Sequence, residues 1–172
     1  VENKADFMVD CNQQWTLDQS QYMIRELSKA KPFFVEEPTD PDDVIAHQTL
    51  ARIFPETRIA LGEHVPNKVV FKNYLQANAV AINQVDSTRV GGISEFILIS
   101  LMSKKCNIPV APHAGDMGQI HQHMVLFNHI AIGHPHLFLE YIPHLEKHFR
   151  SPIVVKDAKF ITPQAPGSSC DF

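Results

Sequence analysis

Residues 33–63 read FFVEEPTDPDDVIAHQTLARIFPETRIALGE. The stretch opens on a short apolar run, Phe33–Val35, that ends on Glu36. Asp40 followed by Pro41 is a helix-start signal: a capping side chain, then a residue whose missing N–H is not needed in the first turn. Val44, Ile45, Leu50 and Ile53 follow at helical spacing. A second apolar run, Ile59–Leu61, then ends on Glu63. The order is strand, helix, strand, and the strands are continuous apolar runs rather than alternating ones. Such strands are covered on both faces, as in a parallel sheet flanked by helices.

The same unit repeats in both directions. Further runs are Phe7–Asp10 (FMVD), Ala81–Asp86 (AINQVD), Pro109–His113 (PVAPH) and Leu137–Glu140 (LFLE). The last residues of the six runs are Asp10, Glu36, Glu63, Asp86, His113 and Glu140, spaced 23 to 27 residues apart. Helical patterns fill the gaps. Thr16 and Gln19 form a capping box ahead of Tyr22, Met23, Ile24 and Leu27. Pro66 opens a pattern through Val69, Val70, Tyr74 and Leu75. Ile93–Lys105 ends on Lys104 and Lys105, which suit a helix C-terminus. Gln119–Ile132 and the short Pro143–Phe149 complete the set. The tail from Ser151, rich in proline, reads as a strand pair or extended arm.

Strand–helix alternation implies right-handed crossovers. A doubly wound open sheet would carry a Gly-rich phosphate turn after an early strand, and neither GxGxxG nor a P-loop is present. A (β/α) barrel brings the C-terminal end of every strand to one mouth, which suits six strands that each end in an ionisable residue. The expected architecture is therefore α/β, a partial TIM-type barrel of about six parallel strands over residues 1–150, with an arm over residues 151–172. Six strands do not close an eight-stranded barrel, so the chain is expected to be incomplete at its N-terminus.

Composition sets the outer limits. The 172 residues are 44% hydrophobic and 20% charged, enough apolar side chain for a real core. The net charge is −4, from 15 basic and 19 acidic residues, and no basic run occurs. Nucleic acid and anionic membrane surfaces are thereby disfavoured as partners. No apolar stretch approaches the roughly 18–20 residues of a membrane span. Cys11, Cys106 and Cys170 have no CxxC spacing, which suits a reducing compartment and excludes a disulfide scaffold. With no signal-peptide core in residues 1–20, the cytoplasm is the expected location.

Asp10, Glu36 and Glu63 on successive strands would stand side by side. Three buried like charges do not all ionise without a counter-charge. A divalent cation supplies one, and all-oxygen ligation favours Mg2+, with Mn2+ as a substitute. On the next strands, Asp86 can accept an imidazole N–H from His113 and fix its tautomer. That pairing serves a general acid or base, or only a structural hydrogen bond. Glu140 faces the same mouth and can donate when protonated or orient a hydroxyl. The loop His113–Gly118 is either a cover over a substrate or a helix-entry turn. His121 and His123 fall on a helix, where i and i+2 do not share a face, so one ion held by both is not expected. His129, His134, His136, His144 and His148 have no convergent spacing. Cys11 suits a buried small side chain better than a nucleophile. Trp15 either walls the site or packs on a helix. Arg89 is placed to hold a substrate carboxylate or a neighbouring loop. Asn12, Trp15, His64 and Arg89 are the candidate substrate contacts.

The strand ends also carry a resemblance. MVDCNQQW (8–15), VEEPTDPDD (35–43), GEH (62–64), QVDSTRVGG (84–92), PHAG (112–115), LEYIPHLEKHF (139–149) and PQAPG (163–167) together resemble the enolase superfamily, mandelate racemase subgroup. Within it they look most like L-fuconate dehydratases and related sugar-acid dehydratases. The resemblance implies that Asp10, Glu36 and Glu63 are the Mg2+ ligands. It implies that Glu37 is not a ligand, that Asp86 and His113 form a dyad, and that Glu140 is the acid of the last strand. The implied reaction is dehydration of a sugar acid to a 2-keto-3-deoxy acid through an enediolate. Racemisation, epimerisation or cycloisomerisation within the family is the first rival, and a non-catalytic metal-binding paralogue the second. A histidine-rich metallohydrolase would need histidines at several strand ends, and only His113 qualifies.

Three features depart from the family pattern. No Lys-x-Lys strand and no N-terminal cap domain precede Asp10, so the chain is expected to belong to a longer, homo-oligomeric product and not to turn over alone. The arm over 151–172 would then pack toward that cap domain. The stretch HAGDMGQIHQH (113–123), with Asp116, His121 and His123, also departs, changing either substrate or only packing.

Overall fold

Four short parallel strands form the main sheet in chain order: β1 (Val9–Asp10), β2 (Val35–Glu36), β3 (Ile59–Leu61) and β4 (Ile82–Asn83). The computed structural model describes residues 5–113, 118–135, 139–168 and 171. The register pairs Asp10 with Glu36, Glu36 with Ala60 and Leu61 with Asn83. A single bridge between Asn83 and Val110 adds the fifth apolar run to the order. Pro109 and Pro112 bracket Val110 and lack the N–H a longer ladder would use. In the sixth run Leu137 and Phe138 lie outside the described residues, and Leu139 and Glu140 are not in a strand. The six expected strands are thus four strands and a bridge among the described residues, with the order and parallel sense expected of them.

The helices are α1 (Leu17–Leu27), α2 (Val44–Ile53), α3 (Lys68–Gln76), α4 (Ile93–Lys105) and α5 (Ile120–Phe127). Thr16 and Gln19 form the expected capping box on α1. The start of α2 differs from expectation. Asp40 uses its carboxylate on the Asp42 N–H at 2.8 Å in a local turn, and Asp43 caps the helix through Ala46 N–H at 2.8 Å. Asn67, not Pro66, sets the start of α3, accepting from Val69 and Val70 N–H. The helix expected over 119–132 is α5 followed by a wider π turn over Asn128–Ile132, and Pro143–His148 is a 3-10 helix. The arm is a hairpin of β5 (Val155–Lys156) and β6 (Lys159–Phe160). Its two-residue turn, Asp157–Ala158, has both φ values positive, matching the twist of the strands.

Alternation along the strands sorts the side chains. Val35, Ile59 and Leu61 join Ile24, Leu50, Phe71, Tyr74, Phe96 and Ile99 from the helices in the main core. The helical contributors recur at three- and four-residue steps, as at Phe71, Tyr74 and Leu75. Phe34, Ala60, Ile82 and Ala111 form a second cluster on the opposite face, to which no helix contributes a buried residue. Glu36 lies two residues after Phe34, Asp86 four after Ile82 and His113 two after Ala111. Strand periodicity therefore directs all three to this second face. A buried polar pin steadies the start of the Asp86 turn: Asn83 Nδ2 donates to Ser103 Oγ at 2.7 Å and its Oδ1 accepts from Val85 N–H at 3.0 Å. Among the described residues no helix is long and apolar enough to cross a membrane.

Glu63 needs a different device, because alternation from Leu61 would turn it toward the helices. The intervening Gly62 has φ +155°, and a Cβ there would stand 2.5 Å from the Gln84 carbonyl carbon and 2.7 Å from the amide nitrogens of Gln84 and Val85. Only a residue without a side chain permits that approach of two strand ends. Gly62→Ala should lower stability by about 2 kcal/mol or more, read as a lower midpoint of thermal unfolding. A melt identical to wild type would contradict the close approach.

Candidate active site

The adjacent acids Glu36 and Glu37 part company at the end of β2. Both are buried, at 4% and 1% exposure. Glu36 Oε1 is buried with no hydrogen-bond partner among the described residues. Burial pushes the Glu36 carboxyl up to about 8; Asp10, Glu140 and Glu63 add to the rise by repulsion, and a hydrogen bond from Gln84 opposes it. Glu37 takes a left-handed φ of 39° and joins a separate network. Gln13 Nε2 donates to Glu37 Oε2 at 2.7 Å, and His64 Nδ1 lies 2.9 Å from the same oxygen.

Glu63 sits in a different electrostatic setting. Its Oε2 meets His113 Nε2 at 2.8 Å, and its Oε1 meets Arg89 Nη1 at 3.2 Å and His64 Nδ1 at 3.0 Å. Burial by itself would raise its pKa, but these partners outweigh it and hold the carboxyl below its ordinary range. Asp10, at the end of edge strand β1, is exposed. Its two oxygens accept from Asn12, the backbone N–H at 2.8 Å and the side-chain amide at 2.7 Å.

Asp86 is 1% exposed and His113 6%. His113 Nδ1 donates to Asp86 Oδ2 at 2.8 Å, which leaves Nε2 toward Glu63 and, at 3.5 Å, toward Glu140 Oε2. Burial would depress the imidazole, yet the hydrogen bonds to Asp86 and Glu63 and the charges of Glu63 and Glu140 raise it to about 10. Asp86 also accepts from the Thr88 N–H and hydroxyl at 2.7 Å each and from His121 Nε2 at 2.9 Å, all on Oδ1. Burial works against the charge, but the two imidazoles and Thr88 hold its carboxyl far below the usual carboxylate range.

Glu36, Glu63, Asp86, His113 and Glu140 are thus brought together, with Asp10 acting on Glu36 from the neighbouring strand. Asn12 holds Asp10. Arg89 and His64 bind Glu63, with Arg89 Nε also 3.5 Å from Asp86 Oδ2. Trp15 packs partly buried against the main core. Cys11 is buried, and burial beside Asp10 and Glu36 pushes its thiol up to about 12, too high for a nucleophile near neutral pH. Asp116 lies outside the described residues. Sequence reasoning passed over Gln13, Thr88 and the use of His121. A Thr two residues after an Asp is a local turn signal that foretells the Thr88 bonds; the place of His121 depends on tertiary structure alone.

An ion has two places to be tested. Donor atoms of Glu37, Glu63 and His64 lie within 4.8 Å of one another. There His64 Nδ1 already lies 2.9 Å from Glu37 Oε2 and 3.0 Å from Glu63 Oε1, so the space between the two carboxylates is taken. The surroundings of Glu36 differ: the group is buried, repelled by three carboxylates and left with one oxygen unengaged among the described residues. An oxygen-only donor set of this kind fits a hard divalent cation such as Mg2+.

A family model described as enolase C-terminal domain-like matches residues 1–172. The crystal structure of human mitochondrial enolase superfamily member 1 superposes with a TM-score of 0.90 at 38% identity, over 96% of this chain and 39% of that one. L-galactonate dehydratase of Hypocrea jecorina is 36% identical over 169 residues, 96% of this chain and 38% of its own length. L-talarate dehydratase from Polaromonas sp. JS666, solved with Mg and L-glucarate, is 30% identical with a TM-score of 0.77, over 92% of this chain and 42% of that one. The chain therefore spans roughly two-fifths of the length of these relatives. A match over its full length and so close a superposition lead to one conclusion: the chain belongs to the enolase superfamily, in the family of its C-terminal domain.

Proposed function

We propose that the protein carrying this chain is a Mg2+-dependent dehydratase that converts a sugar acid, of the L-fuconate type, to a 2-keto-3-deoxy acid. The observation that carries this reading is Glu36, a buried carboxyl group among carboxylates with no partner for one oxygen among the described residues; two of those carboxylates, Glu63 and Glu140, also meet the His113 that Asp86 orients. Relatives named L-galactonate dehydratase and L-talarate dehydratase, the latter solved with Mg and L-glucarate, support the substrate class.

Asp10, Glu36 and Glu63 would hold the ion. When bound it would offset the second negative charge that gathers on a substrate carboxylate as the neighbouring C–H proton leaves. The chain's own residues do the rest. Asp86 takes the Nδ1–H of His113 and so keeps its proton-bearing Nε2 directed at the site. That proton passes to the hydroxyl on the β carbon as its C–O bond breaks, and the hydroxyl departs as water. The α-carbon proton needs a separate base, and none of the residues gathered around Glu36 is a lysine. The enol that remains tautomerises to the keto acid. Arg89 and His64 keep Glu63 ionised and placed throughout.

Two expectations follow from Glu36. Groups that only orient a metal ligand carry about 10- to 100-fold in metal affinity or activity, so Glu36→Gln in the full-length protein should remove more than that from Mg2+-dependent turnover while its circular dichroism stays native. Turnover at the wild-type rate would reject the ligand. A screen of sugar acids with Mg2+, scored by 2-keto acid formation, tests the reaction itself, and no keto product from any of them would overturn it.

The second expectation concerns pH. The folded pKa of Glu36, about 8, lies above its ordinary 4.5. The metal-free folded state then binds more protons than the unfolded state between these values, so Glu36 destabilises the fold progressively as pH rises from 4.5 to 8. Mg2+ has to displace that proton below pH 8. Its affinity should climb about tenfold per pH unit up to this point and then level off. Calorimetric titration in buffers of different ionisation enthalpy would show one proton released per ion. Affinity independent of pH between 6 and 8 would contradict the role given to Glu36.

A further inference from the structure

His121, a residue of HAGDMGQIHQH to which the reaction gives no task, is fully buried. Its Nε2 lies 2.9 Å from Asp86 Oδ1, while His113 Nδ1 lies 2.8 Å from Asp86 Oδ2. One carboxylate is thus held between two imidazoles that come from the two ends of the segment 113–121. A carboxylate only accepts, so the His121 nitrogen facing it carries a hydrogen.

The other donors to Oδ1 are the N–H and hydroxyl of Thr88, two residues along the same loop. Local bonds of this kind tie a carboxylate to its own turn, and the last torsion of an Asp side chain is soft. The bond from His121 comes from α5, a different element. It engages the oxygen opposite the one that meets His113, so the carboxylate is anchored from a second element as well as from its own turn. Arg89 Nε, at 3.5 Å from Oδ2, is the remaining charged neighbour.

We infer that His121 is a positioning residue for the proton donor: its Nε2–H bond to Asp86 Oδ1 fixes the carboxylate plane so that Oδ2 stays in line with His113 Nδ1–H. The inference rests on His113 as the group that protonates the leaving hydroxyl, and it assigns the specific task of α5 in that step.

The test uses two substrates and the full-length protein. Elimination from the sugar acid breaks a C–O bond and needs a proton on the leaving oxygen. In the 3-deoxy-3-fluoro analogue the C–F bond breaks with its electron pair, fluoride leaves unprotonated, and the same α proton is lost. His121→Phe should lower kcat for the sugar acid about 10- to 100-fold with KM changed by less than about twofold. Fluoride release should fall by less than about threefold, and His121→Gln, whose amide nitrogen reaches as far as Nε2, should restore dehydration to within about threefold. Equal losses on both substrates, or no loss on either, would overturn the assignment. Should the Phe variant not fold, His121→Asn replaces it, since its amide is too short to reach Asp86 and the same comparison applies.

A separate measurement needs no turnover. Selective 15N labelling of histidine should show His121 protonated at Nε2, and the hydrogen-bonded Nδ1–H signal of His113 should shift in the Phe or Asn variant and return in the Gln variant. A His121 bare at Nε2, or a His113 signal indifferent to all three changes, rejects the inference. If no sugar acid reacts while the 15N signals behave as stated, it is the dehydratase reading that fails and the positioning role that stands.

Discussion

Parallel pairing in register is the constraint on which the site depends. Residues opposite one another on neighbouring parallel strands stand roughly 4.8 Å apart and face the same way. Asp10 and Glu36 are such a pair. Two carboxylates so placed repel unless something of opposite charge lies between or beside them. The helix-free face of the sheet gathers Glu63 and Glu140 onto the same spot, and their effect on Glu36 is a rise, not a fall, in its pKa. The protein spends folding stability to keep these groups together. A site that is unfavourable when empty is one that gains when a cation enters.

The sheet makes this arrangement cheap to build and hard to lose. Its strands are two or three residues long, so each turns into its loop just where a functional side chain is wanted. The apolar residues that hold the sheet in place, such as Val35 and Leu61, pack with helix residues in the main core and are not those that approach the site. Gly62 is the exception, where packing and chemistry meet in one residue: the backbone approach it allows is also what turns Glu63 toward His113.

Much of this was legible in the chain because strand ends announce themselves. An apolar run that stops on an acid or a histidine, again and again at one spacing, names both the sheet and its working edge. Glu36, Glu63, Asp86 and His113 all declare themselves in this way. What stayed hidden depends on geometry that spacing does not encode. Asp40 and Asp43 are equal as capping residues by type, and the choice between them lies in which N–H the backbone offers. Glu36 and Glu37 are equal by type as well, until a left-handed φ at Glu37 sends the second into the His64 network. His121 meets Asp86 because of the rotational phase of α5, which is set across 35 residues of chain by packing, not by neighbours.

Asp86 and Glu36 show how one residue class can be driven to opposite ends of its range. Both carboxylates are buried to nearly the same degree, at 1% and 4% exposure. Desolvation opposes the charge on each, so burial does not separate them. Donors do. Asp86 receives two imidazoles, a hydroxyl and a backbone N–H, enough to satisfy both of its oxygens. Glu36 has an oxygen that receives none among the described residues, and its charged neighbours are acids. The protein therefore binds the first carboxylate to itself and leaves the second for something else. A buried charge satisfied from within is a part of the scaffold, and it makes His113 rigid. A buried acid left unsatisfied costs stability when it ionises until a ligand arrives, and its position marks where that ligand is to be sought.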